Sequence, residues 1–497
     1  MVLFAGIDVG TSGARAVLID ERGKLVASGA AGYDLRAPQP GWAEQDPEDW
    51  FDGATHALGA ALAASGGRAR ELEGIGLTGQ MHSAVLLGER DRVLRPALLW
   101  CDQRTELECD EITARAGGLE RLIALTRNRA FPGFTAPKIE WVRKHEPEVW
   151  GATRSVLVGK DYVRLRLTGE RATDVSDASG TLWFDVERRT WSSAMLELLQ
   201  IDRALLPACH ESAAATGVLR TDVARSLGLD AGIKVFAGAG DQAAGAVGAG
   251  VVHAGAMSIS LGTSGVVFAA TLAPVLDPTG ALHSFCHAGP GRWHAMGVML
   301  SAGGAIRWLR DLLSPGDPSY AALDRLALES APGARDLIFL PYLSGERTPI
   351  LDPKARGVFC GLSLAHQRGE LMRAAIEGVC CGLKSNLELM RERGLSAHEL
   401  RVTGGGARSQ LFLQILADVL QQPLAPLAID EGPGLGAALL AGVGAGAWRD
   451  VVHACEATVR VKPAIQPNPR NAAVYGDLHR RFVDLYARVR TAFRTPG

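Results

Sequence analysis

The chain has 497 residues, enough for two to four domains and more than one hydrophobic core. Apolar residues make up 47% and charged residues 21%, and 52 basic side chains nearly balance 54 acidic ones, which excludes a broad nucleic-acid footprint. Eight cysteines without a Cys-x-x-Cys pair argue against a disulfide-stapled fold and a zinc ribbon. The start, MVLFAGIDVG, has no basic n-region. The charge-free stretch from Gln242 to Leu276 is interrupted by glycines and hydroxyl residues, so it reads as a helix, a turn and two buried strands rather than a membrane span. A cytoplasmic protein that engages neither membrane nor nucleic acid is expected.

The predicted elements begin with strands. Leu3 to Val9 is an apolar run closed by Gly10-Thr11-Ser12-Gly13. Ala14 to Asp20 is a second run, and Leu25 to Gly32 a third after a hairpin at Glu21-Arg22-Gly23-Lys24. A helix follows, with Asp46 as N-cap, Pro47 at the first position and Trp50, Phe51, Ala54, Leu58 and Leu62 on one face. Leu72 to Thr78 is another strand. Ile233 to Ala237 is a strand and Ala243 opens a helix, which puts Asp241 at their junction. Then the tetrapeptide repeats: Gly262-Thr263-Ser264-Gly265 again ends one apolar strand and opens another. A hairpin-like pair, Leu282 to Ala288 and Trp293 to Met299, and a helix at Ala305 to Leu313 come next. The repeated context predicts a duplicated two-domain architecture with its boundary near Gly240 to Gly255. Two further glycine clusters, Gly404-Gly405-Gly406 and Gly432-Pro433-Gly434-Leu435-Gly436, each precede a helix.

These features point to phosphate chemistry. Backbone N–H groups in a tight Gly turn form an anion nest, and Thr and Ser hydroxyls add donors. Two such turns facing each other would grip a polyphosphate between two domains. Asp8, at a strand end, suits Mg²⁺, which keeps several waters beside one or two carboxylates. The Gly404 cluster suits a nucleotide at a helix N-terminus. A P-loop is excluded by pattern, and the match of Gly432-x-Gly434-x-x-Ala437 to a dinucleotide fingerprint is loose. Asp241 can accept a proton from a substrate hydroxyl, cap its helix, or do both. Gln80-Met81-His82 could hold sugar hydroxyls, as could Trp100-Cys101-Asp102-Gln103-Arg104. His283, Cys286 and His287 are spaced too far apart along a strand for zinc.

Together these residues resemble the FGGY carbohydrate kinases of the actin/hexokinase/Hsp70 superfamily, over essentially the whole chain. The resemblance is carried by Asp8 to Arg15, Trp42 to Pro47, Phe134 to Trp141, Gly240-Asp241-Gln242, Ser260 to Gly265, Pro341 to Pro349 and the Gly404 cluster, in the family order. Gly79-Gln80-Met81-His82, Lys160-Asp161-Tyr162 and His283 to His287 most resemble the xylulose-acting members. Gln242, however, stands where Asn is usual there, and Ser83 where Gly is. The fold implied is α/β, with two actin-like (ribonuclease H-like) domains, residues 1–243 and 244–497, around an interdomain cleft. The resemblance implies ATP-dependent phosphorylation of D-xylulose to D-xylulose 5-phosphate. The alternatives are another ketose or polyol such as ribulose or glycerol, and a non-catalytic nucleotide-dependent sugar-binding protein. It implies Asp241 as general base; Met81, His82, Asp241 and Gln242 at the sugar; and Asp8 at Mg²⁺. Thr11, Ser12, Arg15, Gly262, Thr263, Gly303, Arg307 and Gly406 would lie at ATP. A homodimer is left open.

Overall fold

The computed structural model describes residues 2–313, 319–429 and 431–493. Two six-stranded mixed sheets organise the chain. The first contains β1 (Leu3–Val9), β2 (Gly13–Asp20), β3 (Leu25–Gly32), β4 (Leu72–Gly79), β5 (Ala215–Val218) and β6 (Lys234–Gly240), in the order β5-β6-β4-β1-β2-β3. The second contains β7 (Met257–Leu261), β8 (Gly265–Thr271), β9 (His283–Cys286), β10 (Trp293–Met299), β11 (Leu400–Thr403) and β12 (Leu424–Pro426), in the order β9-β10-β8-β7-β11-β12.

The sheets repeat one another. In each, the GTSG turn joins the first two strands as an antiparallel hairpin, a third strand extends the antiparallel side, and two strands add in parallel on the other side. The duplication expected from the repeated tetrapeptide is therefore present in the topology of both halves. The hydrophobic runs make the strands, since buried strands need no polar alternation. The turn residues set where they reverse.

Helices cover the sheets. α1 (Pro47–Ala64) starts as expected, with Asp46 accepting from the Glu48 amide and Pro47 at the first position, and buries Trp50, Ala54, Ala57, Leu58 and Ala61. α2 (Thr135–His145) follows. α3 (Asp241–Gly248) opens directly from β6, α4 (Gly303–Leu313) follows β10, and α5 (Gln410–Leu420) follows β11. α6 (Pro433–Gly444) belongs to the second half of the chain but packs on the first sheet. A Cβ at Gly6 would sit 1.9 Å from the Gly434 carbonyl oxygen, one at Gly76 2.0 Å from that of Ala437, and one at Gly436 1.8 Å from that of Ala244. Glycines on both partners let backbone meet backbone. This accounts for the Gly432 cluster as close packing rather than as a dinucleotide fingerprint. Leu435, Ala438, Leu439 and Leu440 of α6 share one core with Phe4, Val17, Phe236 and Val247.

Candidate active site

The parallel strands β1, β4 and β6 end together. Val9 lies opposite Gly79 and Gly79 opposite Gly240, so the first GTSG turn, the segment Gln80-Met81-His82 and Asp241 leave the sheet at one edge. That edge is where open α/β sheets bind ligands. Gly240, not Asp241, occupies the N-cap of α3, so the capping duty allowed from the sequence does not fall to Asp241. Ser176 Oγ accepts from the Gly240 amide at 3.1 Å and steadies the junction.

Asp241 faces Asp8. Burial pushes the Asp241 carboxyl up to about 7, and the charge of Asp8 adds to the rise, while hydrogen bonds from Gln242 oppose it. Burial likewise raises Asp8 to about 6 against the pull of Arg15. Two hard oxygen donors that repel each other fit a hydrated divalent cation. Among the described residues no cluster of three or more His, Cys, Asp or Glu forms a full protein cage.

Asp241, Gln242 and Val266 line two adjoining cavities. One, of about 180 Å³, brings Thr11 of the first turn and Ser264 of the second together with Met81, His82, Trp100 and Phe134. The other, of about 170 Å³, is lined by Ser258, Ser260, Thr403, Gly404, Glu431 and Gly432. Asp241 thus stands on a wall common to both.

On the first side, Met81 is buried and packs against Gly240 and Gly180. His82 has φ 70°, bonds Gly180 O through Nδ1 at 2.8 Å, and stacks on Phe134 with ring centroids 4.6 Å apart. Burial drives its imidazole down to about 3, so the ring is neutral. Gln80 is not available to a sugar: Thr11 Oγ1 donates to its Oε1 at 3.0 Å, and its Nε2 donates to Gln45 Oε1 at 3.0 Å. Trp100 lines the cavity and donates to Thr11 Oγ1 at 3.0 Å, but Asp102 and Arg104 do not reach it. They form a buried pair that also engages Glu44, with Arg104 3.6 Å over the Trp42 ring. His283 stacks on Phe285, and His287 bonds Val251 O at 2.8 Å, just past the end of β9.

On the second side, Thr263 O accepts from the Gly304 amide at 3.0 Å, and Gly262 O from that of Gly303 at 2.9 Å. Arg307 donates to Thr263 Oγ1 at 3.3 Å. Ser12 is exposed. Arg15 is engaged by Glu431, just before α6. Gly404 has φ +86° and its backbone passes within contact of Leu261. The helix after the triple glycine does not start there. Gly406 lies in a 3₁₀ turn, Gly405–Arg408, and α5 begins only after Ser409, whose Oγ caps the Phe412 amide.

Two family models match the chain, the N-terminal domain of the FGGY family of carbohydrate kinases over residues 3–248 and the C-terminal domain over residues 257–445. The chain belongs to the FGGY family of carbohydrate kinases. It is 42% identical to the xylulose kinase of Escherichia coli (strain K12) over 488 residues, covering 97% of this chain and 98% of that one. The solved structure of a xyloylose (xylulose) kinase from Brucella ovis superposes with a TM-score of 0.92 at 40% identity, over 99% of this chain and 100% of that one. That of a gluconate kinase from Lactobacillus acidophilus gives 0.91 at 28%, over 98% of each chain.

Three residues of the segments that carry the family resemblance also shape the candidate site, in positions no reading of the sequence assigned them. Lys138 is fully buried on α2, where its ammonium donates to His82 O at 2.8 Å and Gly133 O at 2.7 Å, which fixes the left-handed turn at His82. Burial lowers it to about 7. Gln45 donates to Thr11 O at 2.7 Å and accepts from the Trp50 indole at 2.9 Å. Arg347 enters the first cavity from the second half of the chain.

Proposed function

We propose that this FGGY kinase transfers the γ-phosphoryl group of ATP to the terminal hydroxyl of D-xylulose, giving D-xylulose 5-phosphate. Residues 1–243 supply the sugar side and residues 244–497 the nucleotide side. The reading is supported above all by the position of Asp241 on the wall shared by the two cavities, with Thr11 and Ser264 of the two turns on the same cavity. Similarity to xylulose kinases over nearly the full chain supports the ketose.

The chemistry follows from the residues. The acceptor hydroxyl lies against Asp241, and Met81 packs on the carbon face of the sugar. Asp241 orients the hydroxyl and accepts its proton. A carboxyl raised to about 7 is better matched to that task than one near 4. The transition state for phosphoryl transfer is loose, so the proton leaves late and positioning dominates. Ser12, Gly262 and Thr263 present donors to the phosphates, Thr11 presents its backbone amide because its hydroxyl is given to Gln80, and Arg15 meets their charge. Gly303, Arg307 and Gly406 flank the nucleotide. When bound at Asp8 and the phosphates, Mg²⁺ supplies positive charge to the transferring group. Closure of the halves excludes water from the phosphoryl group.

The test is Asp241→Asn. Turnover in a coupled ADP-release assay falls by about 10²–10⁴-fold while ATP still binds; undiminished turnover overturns the assignment. In the parent protein kcat/KM falls as pH drops through about 7, because the base becomes protonated. The stability effect has the opposite sense. The folded carboxyl holds its proton more tightly than the unfolded one, so ionised Asp241 weakens the fold at high pH. Asp241→Asn therefore raises the melting temperature at pH 8, and the gain shrinks as pH falls from 7 toward 4.

A polyol acceptor is the second reading, favoured by Gln242 in place of Asn. Phosphorylation of D-xylulose, L-xylulose, D-ribulose, L-ribulose and glycerol, compared side by side, separates the two.

A further inference from the structure

Arg347 lines the sugar-side cavity, and the mechanism gives it no task. It follows Glu346 in the segment Pro341 to Pro349 and lines the same cavity as Met81, His82 and Asp241. Its guanidinium lies 4.8 Å over the Phe131 ring, and Nη1 meets His283 Nε2 at 3.4 Å. Among the described residues it forms no ion pair and no other side-chain hydrogen bond. The neighbouring Glu346 attracts the guanidinium but makes no hydrogen bond to it. Glu346 Oε1 is taken by the backbone amides of Leu300 and Arg347, each at 2.8 Å. A guanidinium has five N–H donors and no acceptor. One long bond to a neutral imidazole leaves most of that capacity unused in a place largely removed from water, which is costly unless a ligand completes it.

Two chemically different groups line the cavity: Asp241 accepts a proton, and Arg347 can only donate. We propose that Arg347 reads the ketone oxygen of the acceptor sugar whose hydroxyl Asp241 holds, and so sets the preference for a ketose over the matching polyol. The inference rests on the kinase reading above and names a residue that determines its substrate class. A ketone oxygen offers two lone pairs and carries no proton. A hydroxyl in the same place also accepts, but its own proton must then find a partner. The wall beside Arg347, formed by Val266, Met296 and Val298, offers no strong acceptor. His283 Nε2 is already occupied by the guanidinium. A polyol therefore leaves a donor unpaired where a ketose does not, which weakens its binding.

The experiment compares kcat/KM for D-xylulose, xylitol and D-arabinitol in the parent protein, Arg347→Met and Arg347→Lys, with D-xylulose affinity measured by calorimetry without nucleotide. Arg347→Met is expected to lower the value for the ketose by about 100-fold and those for the polyols by about tenfold at most, the difference following from loss of a charged hydrogen bond. D-xylulose affinity falls in parallel. Arg347→Lys recovers only part of the preference, because a point charge does not reproduce a planar fork. Equal losses on ketose and polyols, an unchanged preference, or full recovery by lysine would overturn the inference. Should Arg347→Met fail to fold, the ratio in Arg347→Lys and Arg347→Gln decides in the same way. A parent protein that phosphorylates no ketose overturns the kinase reading itself; one that prefers ketoses, with that preference intact in the variants, overturns only the role of Arg347.

Discussion

The two GTSG turns have one sequence and one place in the topology, yet they are held in opposite ways. The first is locked by side chains. Thr11 Oγ1 donates to Gln80 and accepts from the Trp100 indole, Gln45 donates to Thr11 O, and the Tyr33 hydroxyl donates to Gly10 O at 2.7 Å. The second is locked by backbone. Thr263 O accepts from the amides of Ala302 and Gly304, and Gly262 O from that of Gly303, all at the start of α4. Among the described residues its threonine hydroxyl meets only the arginine of an exposed pair. The same tetrapeptide is therefore tied to its own half's strands and side chains in one case and to the start of a helix in the other. A kinase that must hold an acceptor still while a nucleotide enters and leaves has use for both.

The largest break in this comparison comes from Gly303→Ala. A Cβ there would sit 2.5 Å from Gly262 O, with backbone on both sides and no side chain to yield. The second turn must shift, and displacements of that size cost about 10²-fold in rate. The expected result is a loss of that order in kcat/KM for ATP with D-xylulose affinity unchanged. If the variant is silent, the second turn is not held by its backbone contacts.

Gln45→Leu strikes the other turn. It orphans the buried Trp50 indole and the Thr11 carbonyl, each worth about 1–3 kcal/mol when left unpaired. Loss of thermal stability and a drop of roughly tenfold in kcat/KM for the sugar are expected, on the order of one lost charged or buried hydrogen bond. A sugar KM that does not move would show that the first turn does not depend on its side-chain lock.

The same contrast explains what the sequence disclosed. Both strand–turn–strand units were legible because a Gly-rich turn between apolar runs is a local signal, and Asp241 was legible because a strand-to-helix junction is one too. The α1 start at Asp46 and Pro47 follows from the same kind of rule. The supporting residues were not. Glu431 lies 416 positions from Arg15, and Gln45 is 34 from Thr11. Lys138 sits in a segment that carries the family resemblance, but its partners are carbonyls, which carry no sequence mark of its task. Gln80 was read as free to bind a sugar because the group that occupies it is distant in the chain, whereas Asp102 is taken by Arg104, only two positions on. Local chemistry reveals reacting groups; the contacts that aim them are mostly long-range.

The smallest effect tests where the two halves touch across the turns. Arg15 projects from the strand that the first turn opens, and Glu431, from the second half, engages it. The arginine side chain is 47% exposed, so water screens the pair and its contribution to stability is small. Its meaning is competitive. A guanidinium bound to a carboxylate is not available to phosphate, and a carboxylate at the cavity mouth repels a triphosphate. Glu431→Gln removes both obstacles and leaves the strand intact. The KM for ATP is expected to fall by about two- to threefold, the scale of an exposed ion pair, and to do so more at low salt than at high. The KM for D-xylulose stays where it was. A rise in the ATP KM would mean that Glu431 serves the nucleotide rather than competing with it, and that the first turn depends on the second half of the chain for its charge as well as for its closure.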